Sequence, residues 1–99
     1  MLTSKTILSY LAANKDFLKQ QFNVIKIGIF GSYARNEADE DSDIDILVEF
    51  DENTEDLFDK RFELKEYLKS VFKKEVDVCR ESAIKPVFRV IILKDAIYA

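Results

Sequence analysis

The stretch GSYARNEADEDSDIDILVEF, residues 31–50, decides how this chain reads. Its last eight residues alternate. In an extended chain, Ile44, Ile46, Val48 and Phe50 fall on one side, and Asp43, Asp45, Leu47 and Glu49 on the other. That is a strand with one apolar face and one face carrying acids. Just before the stretch, residues 24–30, VIKIGIF, are short and rich in β-branched side chains, so they form a second strand that Gly31-Ser32 brings to an end. Residues 33–42 between the two are polar and acidic, with room for a short helical turn at their start.

Working outward, Thr3 or Ser4 can cap a first helix. Ile7, Leu8, Leu11, Leu18 and Phe22 give that helix an apolar face. Downstream, residues 51–56, DENTED, form a turn and helix cap. Residues 57–72 make a second amphipathic helix, with Leu57, Phe58, Arg61, Leu64, Leu68 and Phe72 near helical spacing. Residues 75–79, EVDVC, alternate again, with Val76 and Val78 on one face and Glu75, Asp77 and Cys79 on the other. The length of the apolar tail after Pro86, VFRVIILKDAIYA, favours a last helix, and its β-branched residues pull toward strand. The order is helix, strand, strand, helix, strand, helix. It predicts one α/β (α+β) domain over residues 1–99, with a small mixed β-sheet of about three strands covered by helices.

Composition narrows the chemistry. Apolar residues make up 47% of the 99, enough to support a core, and the formal net charge is −4. An acidic chain lacks the basic face of a general nucleic-acid binder, so no direct nucleic-acid binding is expected. A bound cation can still reverse the local sign of charge and admit phosphates. There is one cysteine and no histidine. This rules out an internal disulfide, Ser-His-Asp or Cys-His catalysis, and histidine metal ligands. No apolar run reaches the ~20 residues of a membrane span, and the N-terminus lacks the features of a signal peptide, so a cytoplasmic setting is expected.

Candidate chemistry then rests on carboxylates. Asp43 and Asp45 share a strand face with Cα atoms ~6.5 Å apart. Two such charges repel unless a cation lies between them. Hard oxygen donors suit Mg²⁺, which also takes substrate phosphates, and a two-ion site would stabilise both oxygens of a nucleotidyl transfer. Asp77 can join the same acidic face if its strand lies beside 43–50 in the matching register. Gly31 permits close backbone approach, and the Ser32 hydroxyl with nearby backbone N–H groups would suit a phosphate. Taken singly, each feature has an ordinary reading: exposed acids at a strand start, an outward aspartate, a strand-ending turn. Arg35 could reach a phosphate or simply lie on the surface. Glu37, Asp39, Glu40 and Asp41 read as a solvated acidic loop, Cys79 as a buried small apolar residue, and Tyr33 and Tyr98 as packing residues.

In combination, Gly31-Ser32, ten intervening residues, Asp43-Ile44-Asp45 and then Ile46-Leu47-Val48 resemble the signature of the DNA polymerase β-like nucleotidyltransferase superfamily. Asp77 resembles its third carboxylate. The likeness spans nearly the whole chain and is nearest to the minimal nucleotidyltransferases, antitoxins encoded beside a HEPN-domain toxin ribonuclease. The resemblance implies the nucleotidyltransferase fold. It implies catalytic and metal-binding roles for Asp43, Asp45 and Asp77, and nucleotide binding by Gly31 and Ser32. It further implies two Mg²⁺ ions, ATP as substrate, and transfer of AMP to a tyrosine of the cognate HEPN toxin in a hetero-oligomer. The family's usual glycine after Ala-Arg is replaced by Asn36, a residue that tolerates left-handed backbone angles. Two other readings stay open. One is an antitoxin that neutralises its partner by binding alone, through the apolar C-terminal segment. The other is a small-molecule nucleotidyltransferase, whose relatives usually carry a further substrate domain; in this chain a partner or second copy would complete the acceptor site.

Overall fold

The computed structural model describes residues 2–99. The first helical region is two helices, α1 (Ser4–Ala13) and α2 (Lys15–Phe22). Thr3 caps α1, its side-chain oxygen accepting from the Thr6 N–H at 3.2 Å. The break falls at Asn14, whose Nδ2 donates to the Tyr10 carbonyl at 2.8 Å. An asparagine amide can compete in this way for the carbonyls of a helix end, which the regular spacing of Leu11 and Leu18 conceals. Asn23 closes α2 in the left-handed region, with φ 61°.

Strands β1 (Val24–Phe30), β2 (Ile44–Phe50) and β3 (Val76–Arg80) follow. The one-turn helix α3 (Gly31–Ala34) ends β1, and α4 (Leu57–Phe72) connects β2 to β3. A 3-10 turn, Glu81–Ala83, precedes α5 (Pro86–Asp95). Pro86 opens α5 at a position where its missing N–H costs nothing. The C-terminal tail departs from expectation. It leaves the helix at Ala96 and returns as a two-residue strand, β4 (Ile97–Tyr98), so the sheet has four strands instead of about three, in the order β3-β2-β1-β4. Gly28 makes room for it, since a methyl there would collide with the Ile97 backbone. The Tyr98 hydroxyl donates to Glu81 at 3.0 Å and its ring packs under the Lys26 ammonium, 4.3 Å from the ring centre, so Tyr98 anchors the tail at the surface.

β1 pairs antiparallel with β2 and β4, and β2 pairs parallel with β3. The sheet is therefore mixed. The main core lies between one sheet face and α1, α2 and α4. It contains Ile7, Leu11, Leu18, Phe22, Ile27, Ile29, Ile44, Ile46, Val48, Phe50, Leu64, Leu68, Val76 and Val78. The Tyr10 and Tyr67 hydroxyls tie α1 to α4 at 2.5 Å, and burial with this bond pushes the Tyr10 phenol up to about 12. Phe58 does not join the apolar face of α4 as its spacing suggested; it is 78% exposed. No helix among the described residues is long and apolar enough to cross a membrane.

Leu64 is fully buried beneath the sheet. Leu64→Ala should cost ~2–5 kcal/mol, whereas Phe58→Ser should stay within ~0.5 kcal/mol of wild type. Urea unfolding of the two variants measures both.

Candidate active site

The face of the sheet opposite the main core carries the acids, and strand pairing dictates this. Burying Ile44, Ile46 and Val48 turns Asp45, Leu47 and Glu49 to the other side. β3 lies in parallel register with Ile44 opposite Val76, Asp45 opposite Asp77 and Ile46 opposite Val78. The two valines of β3 and the isoleucines of β2 enter the same core, so Asp45 and Asp77 must emerge together. Neighbouring strands are ~4.8 Å apart, which sets their spacing. On the other side of β2, Phe30 pairs with Asp45. Asp43 stands two residues before Asp45, just ahead of the strand, and is exposed like Asp77.

Gly31 sits against this row. Its φ is +71°, and a methyl group there would collide with Asp45 Oδ2. Glycine is therefore required twice, for its backbone angle and for the carboxylate packed on it. Ser32 follows in the first turn of α3, and its carbonyl accepts from the Glu37 N–H at 2.9 Å. Asn36 adopts φ 59°, the left-handed angle its amide side chain tolerates, so the loop keeps its turn without glycine. Arg35 is exposed, bonded to Glu37 at 3.0 Å and Asp95 at 3.4 Å. Glu37, Asp39, Glu40 and Asp41 are exposed, as expected of a solvated loop.

The electrostatics of the row are unfavourable without a cation. Burial raises the Asp45 carboxyl above its ordinary value, and the charges of Asp77 and Asp43 raise it further, against a smaller opposing pull from Arg35. The three acids share a face without closing into a cage. Among the described residues, no three His, Cys, Asp or Glu groups stand ready to hold an ion. The donor set is nonetheless all hard oxygen, and a divalent cation would relieve the repulsion felt by Asp45, so these residues fit magnesium.

A cleft of about 520 Å³ opens beside the row, lined by Phe30, Asp45, Arg61, Asp77, Val78, Cys79, Arg80 and Ala83. Burial pushes the Cys79 thiol up, which disfavours a nucleophilic thiolate. Arg61 was counted only as a member of the α4 stripe. The one trace of it in the sequence is a lone cation at an otherwise apolar helical spacing, which does not show where the side chain ends.

Comparison with known proteins shows the family and the fold. Residues 12–99 match the nucleotidyltransferase domain family. The protein adenylyltransferase MntA of Thermococcus cleftensis is 44% identical over 98 residues, spanning 99% of this chain and 97% of that one. A solved structure provisionally assigned as a minimal nucleotidyltransferase superposes with a TM-score of 0.78 at 31% identity, covering 97% of this chain and 95% of the other. A toxin–antitoxin complex with AMP-PNP shares the fold, with a TM-score of 0.65 at 23% identity, covering 87% and 69%.

A raised carboxyl pKa means the fold favours the protonated form. The stability linked to Asp45 is therefore full below the ordinary aspartate value of 3.8 and is lost as pH rises through the higher folded value. Asp45→Asn should accordingly raise Tm at neutral pH in metal-free buffer. The gap should close as pH falls toward the ordinary aspartate value. Thermal unfolding of both proteins across pH 3–8 measures it.

Proposed function

The chain belongs to the nucleotidyltransferase family, among the MntA-type protein adenylyltransferases, and on that premise we propose that it moves AMP from ATP to a tyrosine of a cognate HEPN-domain toxin, with magnesium. The observation that carries this reading is the register pairing of Asp45 with Asp77, which gathers acids on one face beside Gly31. The MntA relative is itself named a protein adenylyltransferase, and the fold is shared with a toxin–antitoxin complex that holds an ATP analogue. Both support an antitoxin that acts as an enzyme on its partner in a hetero-oligomer.

Asp43, Asp45 and Asp77 are the residues that would hold magnesium. Two such ions would neutralise charge on the phosphates as one bond forms and another breaks. Gly31 and Ser32 hold the outer phosphates, using backbone N–H groups and the Ser32 hydroxyl. Asp43 and Asp45, at the start of β2, would act on the α-phosphoryl group through the magnesium they hold, which would neutralise its charge there. Asp77, on the next strand, takes the proton of the incoming hydroxyl. The acceptor oxygen then bonds to the α-phosphorus, and pyrophosphate departs with the electron pair of the broken bond. Positioning and charge stabilisation supply most of the acceleration.

Asp43→Asn with Asp45→Asn should reduce AMP transfer by at least ~10³-fold while the fold remains intact. The assay mixes the chain with ATP, Mg²⁺ and the HEPN protein encoded beside it, and seeks tyrosine-linked AMP by mass spectrometry. Full transfer by the folded double variant would sink the proposed mechanism. A variant that neutralises the toxin without transferring AMP would point instead to inhibition by binding alone.

A further inference from the structure

The cleft holds two cations that the transfer scheme leaves unused, Arg61 and Arg80. The Arg80 Nη2 donates to the Ser82 hydroxyl at 3.3 Å, away from the acids, and Arg61 is the one held at the strand edge. Arg61 lies on α4 and reaches the free edge of β3, where its Nε donates to the Val78 carbonyl at 2.9 Å. That bond fixes the guanidinium against the strand, and among the described residues its two Nη groups have no hydrogen-bond partner. Among the described residues, the carboxylates within ion-pair distance of a cation pair with Lys26, Arg35, Lys60, Lys69 and Arg89, and none with Arg61. The side chain lines the same cleft as Asp45 and Asp77. Its charge is also felt at the Cys79 thiol, which it pulls down against the larger effect of burial.

The order across the sheet assigns a side to this cation. Gly31 ends β1, Asp45 lies on β2 and Asp77 on β3, and Arg61 stands beyond them at the free edge. A triphosphate seated at Gly31-Ser32, with its α-phosphorus by Asp43 and Asp45, leaves the incoming oxygen at Asp77. Arg61 is then on the acceptor's side, away from the departing pyrophosphate. An oxygen that must become an anion beside carboxylates needs a fixed positive donor, and a guanidinium never gives up its own proton. The need is best met for a phenol, which ionises near pH 10, well below an aliphatic alcohol.

We propose that Arg61 is the acceptor-binding residue of this site, its Nη groups hydrogen-bonding the incoming hydroxyl oxygen as it becomes an oxyanion and so favouring an aryl hydroxyl. The assignment rests on the proposed AMP transfer and deepens it. The acceptor O–H bond breaks with its proton going to Asp77. The oxygen bonds to the α-phosphorus, the bond to the bridging oxygen breaks, and pyrophosphate keeps that electron pair. Arg61 stays charged throughout.

Two variants separate its charge from its hydrogen bond to Val78. R61Q keeps an N–H donor without charge, and R61K keeps the charge without the planar fork. AMP transfer is measured with ATP and the HEPN partner each varied. R61Q should lower kcat over KM for the partner by ~10²-fold, as loss of one oxyanion donor does, with KM for ATP within ~2-fold of wild type. R61K should recover part of the loss. If R61Q does not fold, R61K carries the test, with partner kcat over KM reduced and ATP KM kept. Unchanged partner kinetics in a folded variant, or an equal loss toward ATP, overturns the assignment alone. A wild-type chain that transfers no AMP overturns the proposed function, and the assignment with it.

Discussion

The parallel register of β2 against β3 is the constraint on which the rest depends. Ile44, Ile46, Val76 and Val78 all enter one core, and with Ile44 opposite Val76 and Ile46 opposite Val78 the register stands Asp45 opposite Asp77. A slip of β3 by one residue would drive Asp77 into that core and turn Val76 and Val78 out of it. Hydrophobic burial on one face therefore fixes charge on the other. The core does not merely support the site; its packing sets which acids meet.

That arrangement has an electrostatic cost that the molecule does not relieve by itself. Asp45 is half-buried, flanked by two like charges and packed against Gly31 with no room for a methyl group between. A strained acid of this kind is stabilised by whatever brings positive charge to it. In the proposed function this is the magnesium that accompanies ATP, so ligand binding and relief of repulsion are one event. Arg61 adds a fixed cation at the far side of the row, held by a backbone carbonyl and not by an acid, so its charge remains available to the cleft.

Much of this was legible in the sequence, and what was not has identifiable causes. β1 and α4 were placed at their bounds, 24–30 and 57–72, because their periodicity is undisturbed and Gly31 and the polar 51–56 turn punctuate them. The alternation in 43–50 and 75–79 told which side each acid takes, but not that the two strands are neighbours; pairing is a tertiary fact. The helix break at Asn14 was hidden because a side-chain bond to the Tyr10 carbonyl leaves the apolar spacing intact. The fourth strand was missed because Ile97-Tyr98 is too short to show a period, and its place depends on the absent side chain of Gly28, far away in sequence. Arg61 was overlooked because helical spacing says which face a residue occupies and nothing about what lies past the strand edge.

In the proposed function, three acids on one sheet face form a magnesium-nucleotide site. The most direct measurement is the titration of the Asp45 carboxyl carbon by NMR, with and without Mg²⁺ and a non-hydrolysable ATP analogue. The carboxyl should titrate above the ordinary aspartate value of 3.8 in metal-free buffer. Its titration should fall clearly when Mg²⁺ and the analogue are added together. Titration at the ordinary value, unmoved by either addition, would contradict the proposed site.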